Sequence, residues 1–244
     1  MSLLVVEGLQ KAFGGLLAVN NINFRIEPGE VVALIGPNGA GKTTIVNLIT
    51  GTFHPDRGTI LFAGHNVTAL PPWELAKRGM ARTFQAVKIF PGLSVLENVQ
   101  LGAFLRTTSP VEAMKRAEEI LEFVGMVEER KVLAKALTLE KRKRLELARA
   151  LATNPRLLFL DEVMAGLNPK ELAEEIEIIR RINATGVTIL LIEHILRAVI
   201  ALSQRVIVLN QGEILAEGPA EAVMKNRAVI EAYLGEGYRD AGSS

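Results

Sequence analysis

The sequence predicts an α/β fold whose core is a parallel, doubly wound sheet. Short apolar runs at residues 31–35, 157–160, 187–192 and 206–209 are typical of strands that are buried on both faces. A glycine-rich loop and a helical pattern follow the first run, and the hydrophobic period is helical from residue 95 to about residue 152. In a sheet of this kind, ligands bind at the carboxyl ends of the strands.

The remaining elements surround this core. Residues 3–30 alternate apolar runs with Gly14-Gly15 and Pro28-Gly29, which predicts antiparallel strands and turns, and residues 59–64 add a further strand. We therefore expect a single domain over residues 1–244. Its core and β-subdomain would occupy about 1–88 and 157–244, and a helical subdomain about 89–156. The polar residues 235–244 are expected to fray.

Composition excludes several classes of protein. The net charge of +1 gives no electrostatic footprint for nucleic acid, and the absence of cysteine excludes disulfides and cysteine-based zinc sites. No uncharged apolar stretch is long enough to span a bilayer, and the N-terminus lacks a basic signal region. We expect a soluble, cytoplasmic chain whose membrane role, if any, comes through a partner.

The strongest motif lies between the first buried run and the helical pattern that follows it. It matches G-x-x-x-x-G-K-[ST] and comprises Gly36, Pro37, Asn38, Gly39, Ala40, Gly41, Lys42, Thr43 and Thr44. Backbone N–H groups of such a loop cradle a polyphosphate at the N-terminus of a helix. Lys42 is predicted to reach the β- and γ-phosphates of a nucleotide, and the Thr43 hydroxyl to ligate Mg²⁺. A chance match in an ordinary turn is disfavoured by the flanking strand and helix.

Two acids end the second buried run. Asp161 is placed at a strand end, where a carboxylate can hold Mg²⁺, and Glu162 is placed to polarise an attacking water. An acid pair after a strand is a weak signal alone, because many such pairs are simply solvated. The phosphate-binding loop strengthens it.

Four further features are weaker signals than the phosphate-binding loop. His194 leaves a buried strand and is predicted to position the γ-phosphate and water. Gln85 would ligate Mg²⁺ through its amide oxygen, although the residue taken alone is expected to be an ordinary solvated glutamine. Phe13, beside two glycines, would stack on adenine or be a core aromatic. The run of residues 141–144 is expected to be a solvated helix face.

The order of these motifs resembles that of ABC-transporter ATPase subunits over essentially the whole chain. The resemblance rests on Phe13, the phosphate-binding loop, Gln85 after Arg-Thr-Phe, the acid pair, and His194. It implies a RecA-like core with an antiparallel β-subdomain and an inserted helical subdomain. It also implies that these residues form the A-loop, Walker A, Q-loop, Walker B and H-loop, and that two subunits sandwich two ATP molecules.

Finer features resemble LivG-type subunits of importers for branched-chain and hydrophobic amino acids. They are residues 80–85, Leu167-Asn168-Pro169, Ile192-Glu193-His194 and residues 229–235. The resemblance implies two membrane permeases, a LivF-like ATPase and a periplasmic or lipid-anchored binding protein as partners. The location implied is the cytoplasmic face of the inner membrane, and a homodimer is possible in isolation.

The chain departs from this family at its signature, Leu-Ser-Gly-Gly-Gln, which faces the ATP of the opposite subunit. Residues 137–141 stand there as Leu-Thr-Leu-Glu-Lys. Thr138 can still cap a helix, but Leu139 and Glu140 replace both glycines and place bulk and negative charge near a polyphosphate. Lys141 is expected to offset part of that charge. The signature is either harmlessly altered or makes one of two ATP sites weak.

The resemblance leaves two alternatives to an amino acid importer. One is an export ATPase of the lipopolysaccharide-transport type, and the other is a regulatory subunit that binds ATP but hydrolyses it weakly. A soluble ABC protein of repair or translation is disfavoured, because those proteins usually carry two ATPase modules or long coiled coils, for which this chain is too short.

Overall fold

The computed structural model describes residues 1–234, so the expected fraying of 235–244 lies outside the described residues. The strands are β1 (Leu4–Phe13), β2 (Leu16–Ile26), β3 (Val31–Ile35), β4 (Arg57–Phe62), β5 (His65–Asn66), β6 (Met80–Arg82), β7 (Leu157–Asp161), β8 (Thr188–Ile192), β9 (Arg205–Asn210) and β10 (Glu213–Gly218). The helices are α1 (Lys42–Ile49), α2 (Pro72–Arg78), α3 (Val95–Ala103), α4 (Pro110–Val124), α5 (Leu139–Ala152), α6 (Pro169–Ala184), α7 (Leu196–Leu202), α8 (Ala220–Val223) and α9 (Arg227–Leu234), with a 3₁₀ turn at Ala134–Ala136.

The chain divides into two compact units. Unit 1 comprises Met1–Pro71 and Thr188–Ser244, and unit 2 comprises Pro72–Val187. The predicted division into a core and a helical subdomain over about 89–156 stays a prediction.

Unit 1 contains an antiparallel sheet of order β2-β1-β4-β5. β1 and β2 form a hairpin around Gly14 (φ 52°) and Gly15 (φ 89°), two left-handed residues as a two-residue hairpin turn requires. This confirms the antiparallel strands predicted over residues 3–30.

Parallel strands form the other sheet of unit 1. β3 pairs in parallel with β8 on one side and with β9 on the other, and β10 pairs antiparallel with β9. Every residue of β3 and β8 is buried, as their continuous apolar sequences predicted. In the register of β3 and β8, Leu34 lies opposite Ile192, so both strands end at one edge of the sheet.

Unit 2 holds the helical segments and a second parallel pair, β6 with β7. α4 begins after the N-cap Ser109 with Pro110 in its first turn and ends at the left-handed Gly125, and its apolar side is buried. α3, α4 and α5 confirm the helical region predicted between residues 95 and 152. The α/β class with its parallel strands is therefore as predicted.

An ion pair joins Arg205, at the start of β9, to Glu30, which directly precedes β3. The Arg205 guanidinium donates from Nε to Glu30 Oε1 at 2.8 Å and from Nη2 to Glu30 Oε2 at 2.9 Å. Burial alone would raise the pKa of Glu30, but the hydrogen bonds from Arg205 and from the Glu27 backbone outweigh it and lower that pKa below its usual value.

We expect Arg205→Met to lower the free energy of unfolding at pH 7 by about 2 kcal/mol, because a partly buried charge-assisted pair loses one partner. The lowered pKa of Glu30 means that its contribution is complete above the usual value of 4.5 and is lost as the pH falls through the lower folded value. Urea unfolding should therefore show a difference between the two proteins that shrinks in acid. An equal difference at every pH would contradict this, and Arg78→Met at an exposed position is the control.

Candidate functional site

The phosphate-binding loop joins β3 to α1 in unit 1. Its first and last glycines have no space for a side chain. A Cβ atom on Gly36 (φ 152°) would lie 2.3 Å from the Leu209 carbonyl oxygen, and one on Gly41 (φ 103°) would lie 2.6 Å from the Ala18 carbonyl oxygen. Both positions therefore require glycine. The N-cap of α1 is Gly41, which has no side chain that could bind the first-turn N–H groups, and such groups at a helix N-terminus favour an anion.

Lys42, the first residue of α1, folds back over this loop. Its Nζ donates to the carbonyl oxygens of Gly36 at 2.6 Å and Pro37 at 3.0 Å. These contacts hold the ammonium group within the loop, so its charge is in place before any ligand arrives. Of the other predicted phosphate-binding residues, Ala40 is buried, and Asn38, Gly39 and Thr43 are exposed.

His194 lies at the same sheet edge as the phosphate-binding loop. It follows β8 by two residues, and the loop follows β3, the parallel neighbour of β8. Glu193 between β8 and His194 is buried, whereas His194 itself is exposed. The sheet therefore brings a titratable side chain and the loop to one edge, as the sequence predicted.

Phe13 lies at the end of β1 in unit 1. Its ring is 41% exposed and packs edge-on against Phe53, with 5.4 Å between ring centroids. Lys11 Nζ lies 5.6 Å from the same ring. The ring is held in place and still offers surface to a flat ligand, so it is not an ordinary core aromatic.

In unit 2, Asp161 ends β7 and is only 3% exposed. Arg82 Nη2 at the end of β6 lies 3.5 Å from its Oδ2. The Asp161 backbone N–H donates to Thr83 Oγ1 at 3.1 Å, and the Thr83 N–H donates to the Phe159 carbonyl at 2.9 Å. Burial lowers the pKa of Arg82, partly offset by Asp161 and Glu146. These bonds fix a nearly buried carboxylate at the strand end.

Glu162 follows with a left-handed backbone, φ 51°, which is unusual for a residue with a side chain. Its Oε2 accepts a hydrogen bond from Gln85 Nε2 at 3.0 Å. The chain therefore turns directly after the strand end, at the residue predicted to polarise water. The link from Glu162 to Gln85 was not predicted, because it joins segments far apart in the chain.

The altered signature lies at the start of α5. Thr138 is the predicted N-cap, and its Oγ1 accepts from the Lys141 N–H at 3.4 Å. Leu139 is 61% exposed. Glu140 lies 3.2 Å from Arg144, whereas Lys141 pairs with Glu129 at 2.5 Å. Arg144 is therefore the ion-pair partner of Glu140. Lys141 also interacts favourably with this carboxylate, because its pKa is raised by the hydrogen bond to Glu129 and, more weakly, by the charge of Glu140.

The charged run 141–144 is not the solvated helix face that was expected. All four residues are partly buried and contact other segments. Lys143 Nζ donates to the carbonyl oxygens of Glu162 at 3.2 Å and Ala165 at 2.7 Å, and Arg144 lies 3.4 Å from the buried Glu175. The prediction was wrong because charge alone does not distinguish a solvated face from one that binds backbone carbonyls.

The sequence interpretation also missed the role of Glu146. It is buried, and its carboxylate accepts from the Phe84 N–H at 3.4 Å and the Lys88 N–H at 2.9 Å. Burial raises its pKa, against these two bonds. The signal was present: Glu146 is an acid within the apolar sequence Leu145-Glu-Leu147-Ala148, and a buried acid needs donors.

Comparison with known proteins decides the family. A sequence model of the ABC transporter family matches residues 19–165, more than half of the chain. The chain belongs to the ABC transporter ATP-binding family. A second model, of branched-chain amino acid ATP-binding cassette transporters, matches residues 213–239.

Individual relatives of this ABC subunit agree with that. The high-affinity branched-chain amino acid transport ATP-binding protein LivG of Escherichia coli K12 is 45% identical, covering 96% of this chain and 98% of the relative. The corresponding protein BraF of Pseudomonas aeruginosa is 41% identical over the same shares.

Solved structures agree as well. A nucleotide-free ATP-binding cassette from an ABC transporter superposes with a TM-score of 0.88 at 32% identity, covering 97% of this chain and all of that one. A cassette solved as a dimer with ADP and phosphate superposes with a TM-score of 0.81 at 27% identity, covering 89% and 98%.

The chain is therefore an ATPase subunit with the ATP-binding cassette fold. Such subunits associate peripherally with membrane permeases and can dimerise. Within residues 1–234, none of the helices has the length and apolar character needed to cross a bilayer. The comparisons do not favour the export ATPase or the weakly hydrolysing regulatory subunit.

Proposed function

We propose that this subunit hydrolyses MgATP to drive the uptake of branched-chain or other hydrophobic amino acids. The observation that carries the proposal is the 45% identity to LivG across 96% of the chain. Its partners would be two membrane permeases, a LivF-like ATPase and, indirectly, a periplasmic or lipid-anchored binding protein. The subunit would lie at the cytoplasmic face of the inner membrane.

The uptake of radiolabelled leucine tests this proposal in cells that lack the native subunit. Expression of the chain with its permeases should restore ATP-dependent uptake, and Glu162→Gln should not. Restored export of a lipid, or leucine uptake that is unaffected by loss of the chain, would overturn it. Competition with unlabelled isoleucine, valine and phenylalanine would then define the range of side chains accepted by the transporter.

Residues of unit 1 would bind the nucleotide. Phe13 would stack on adenine, and the loop residues 36–44 would surround the phosphates. The Lys42 ammonium, already held at the loop carbonyls, would oppose charge on the β- and γ-phosphates. His194, at the same sheet edge, would donate to the γ-phosphate or to the attacking water.

A magnesium ion would be held by the Thr43 hydroxyl, the Gln85 amide oxygen and Asp161. These are hard oxygen ligands, which Mg²⁺ prefers. Two observations fit this set: Asp161 is a nearly buried carboxylate, and Gln85 uses its nitrogen, not its oxygen, in the bond to Glu162. When bound, the ion would neutralise part of the negative charge on the phosphates.

Glu162 would act as the base. A water oxygen attacks the γ-phosphorus, the bond from phosphorus to the β–γ bridging oxygen breaks, and ADP leaves with that electron pair. Glu162 takes the proton of the water, and Gln85 holds the carboxylate in position through Oε2. Lys42 stabilises the charge that develops on the leaving group.

The altered signature supports an asymmetric pair of ATP sites. The site formed by this chain's own Lys42, Asp161 and Glu162 with the partner's signature would be competent. The site that relies on Thr138, Leu139 and Glu140 would be weak, because a leucine side chain and a carboxylate replace the glycines. Arg144 reduces the charge of Glu140 but not the bulk of Leu139.

We expect Glu162→Gln in this chain to stop most turnover of the assembled transporter, while the equivalent change in the partner ATPase has little effect. The measurement is the ATPase rate of complexes that carry the change in one subunit at a time. Equal losses in both would show that the signature is tolerated, and largely intact turnover with Glu162→Gln in this chain would refute asymmetry.

A further inference from the structure

Glu146 on α5 holds the two ends of the segment that carries Gln85. Its carboxylate accepts from the N–H groups of Phe84 and Lys88, at 3.4 and 2.9 Å, which bracket residues 85–87. Glu146 is only 2% exposed, whereas Gln85 is exposed. A buried helix residue thus fixes the base of a short loop and leaves the loop's functional side chain outside.

Other contacts reinforce this attachment. One turn further along α5, Arg149 Nη2 donates to the Lys88 carbonyl, and its guanidinium lies 5.3 Å from the Phe90 ring. The Phe84 ring has Arg82 at 4.5 Å and Lys88 at 4.2 Å from its centroid. The segment is therefore held to α5 at its ends, so a shift of α5 would carry Gln85 with it.

Lys143 holds the segment that carries Glu162. Its Nζ donates to the carbonyl oxygens of Glu162 and Ala165, at 3.2 and 2.7 Å. The Glu162 backbone is left-handed, φ 51°, a conformation that costs a non-glycine residue about 1 kcal/mol or more and persists only where its surroundings enforce it. Two hydrogen bonds from one ammonium group across this turn provide such enforcement.

These two attachments come from one face of one helix. Lys143 and Glu146 are three residues apart on α5, the spacing that places side chains beside each other. The segments that they hold meet in the 3.0 Å hydrogen bond from Gln85 Nε2 to Glu162 Oε2. The same helix begins at Leu139 with the altered signature.

We infer that Lys143 and Glu146 are positioning residues that set the contact between Gln85 and Glu162, so that α5 links the signature region to the catalytic base. The inference rests on the proposed roles of Gln85 and Glu162. It adds two residues whose side chains bind backbone N–H and carbonyl groups of the segments that carry Gln85 and Glu162.

The direct test observes the Gln85 side-chain amide by NMR in the full-length, ¹⁵N-labelled chain, with Gln85→Ala to assign the signals. We expect Lys143→Met and Glu146→Gln each to move these signals toward the position they take in Glu162→Ala, where the acceptor is gone. Lys143→Arg, which can still donate to both carbonyls, should restore the original position. The controls with the same charge change are Lys115→Met and Glu118→Gln at exposed positions on α4.

Unmoved Gln85 signals in both Lys143→Met and Glu146→Gln would overturn the inference, even if both proteins lose thermal stability. A purely structural role would lower the unfolding temperature without this specific shift. If Glu146→Gln folds poorly, Glu146→Asp is used in its place. The shorter side chain keeps the carboxylate but moves it one methylene group away from the Phe84 and Lys88 N–H groups.

Turnover supplies the second readout. Misplacing the Glu162 carboxylate should lower kcat about 10- to 100-fold with KM for ATP nearly unchanged, since these residues do not hold the nucleotide. Adding Lys143→Met to Glu162→Gln should cause no further loss. If Glu162→Gln alone leaves turnover intact, the proposed role of Glu162 fails, and the Gln85 signals still decide whether Lys143 and Glu146 position the contact.

Discussion

Glu162→Gln is expected to lower ATP turnover of the assembled transporter by about 10²- to 10⁴-fold, the range for loss of a general base. The change is nearly isosteric, and the amide oxygen that replaces one carboxylate oxygen can still accept from Gln85 Nε2. The left-handed backbone at this position carries the same side-chain bulk before and after the change. Turnover should therefore fall through lost basicity and not through altered structure.

ATP binding separates this explanation from a general defect. Because Glu162 would act on water and not on the phosphates, the Kd for ATP measured by calorimetry should stay within about twofold. Glu118→Gln, an exposed isosteric change on α4, should preserve both turnover and binding. Retained turnover in Glu162→Gln would refute its role as the base, and equal losses of turnover and binding would indicate damage to the fold.

Lys42→Ala is expected to weaken ATP binding by about 2–3 kcal/mol, or roughly 30- to 150-fold in Kd, because a charge-assisted contact with the phosphates is lost. The ammonium group is already held by the Gly36 and Pro37 carbonyls, so little ordering opposes its contact with a ligand. The loss should be larger for ATP than for ADP, since the γ-phosphate adds charge near Lys42.

Lys42→Met is the companion variant, because it keeps most of the aliphatic length and removes only the charge. Calorimetry with ATP and ADP, together with the unfolding temperature of each variant, distinguishes lost binding from a collapsed loop. An unchanged ATP affinity in both variants would contradict the assignment, as would an equal loss for ATP and ADP.

The parts of the fold that sequence predicts are those in which local chemistry and tertiary environment agree. The all-buried strands β3 and β8 are continuous apolar runs, and the loop between β3 and α1 carries glycines where no Cβ atom fits. The hairpin turn at Gly14 and Gly15 is equally local. Each of these signals lies within a few residues of the element that it predicts.

The contacts missed by the sequence interpretation join distant segments. The hydrogen bond between Gln85 and Glu162 spans 77 residues, and that between Lys88 and Glu146 spans 58. Lys143 belongs to a charged run whose composition suits solvent just as well as backbone carbonyls. Its side chain is long enough for either, and only the fold of unit 2 determines which one it meets.

The exposed side chain of Trp73 on α2 has an optical consequence. Trp73 is the only tryptophan of the chain, it is 64% exposed, and there is no cysteine anywhere in the sequence. Its emission therefore comes from unit 2 alone. A single cysteine introduced into unit 1 could be labelled with an energy-acceptor dye, and no native thiol would have to be removed first. Energy transfer from Trp73 to that dye would then report on the distance between the two units during a catalytic cycle.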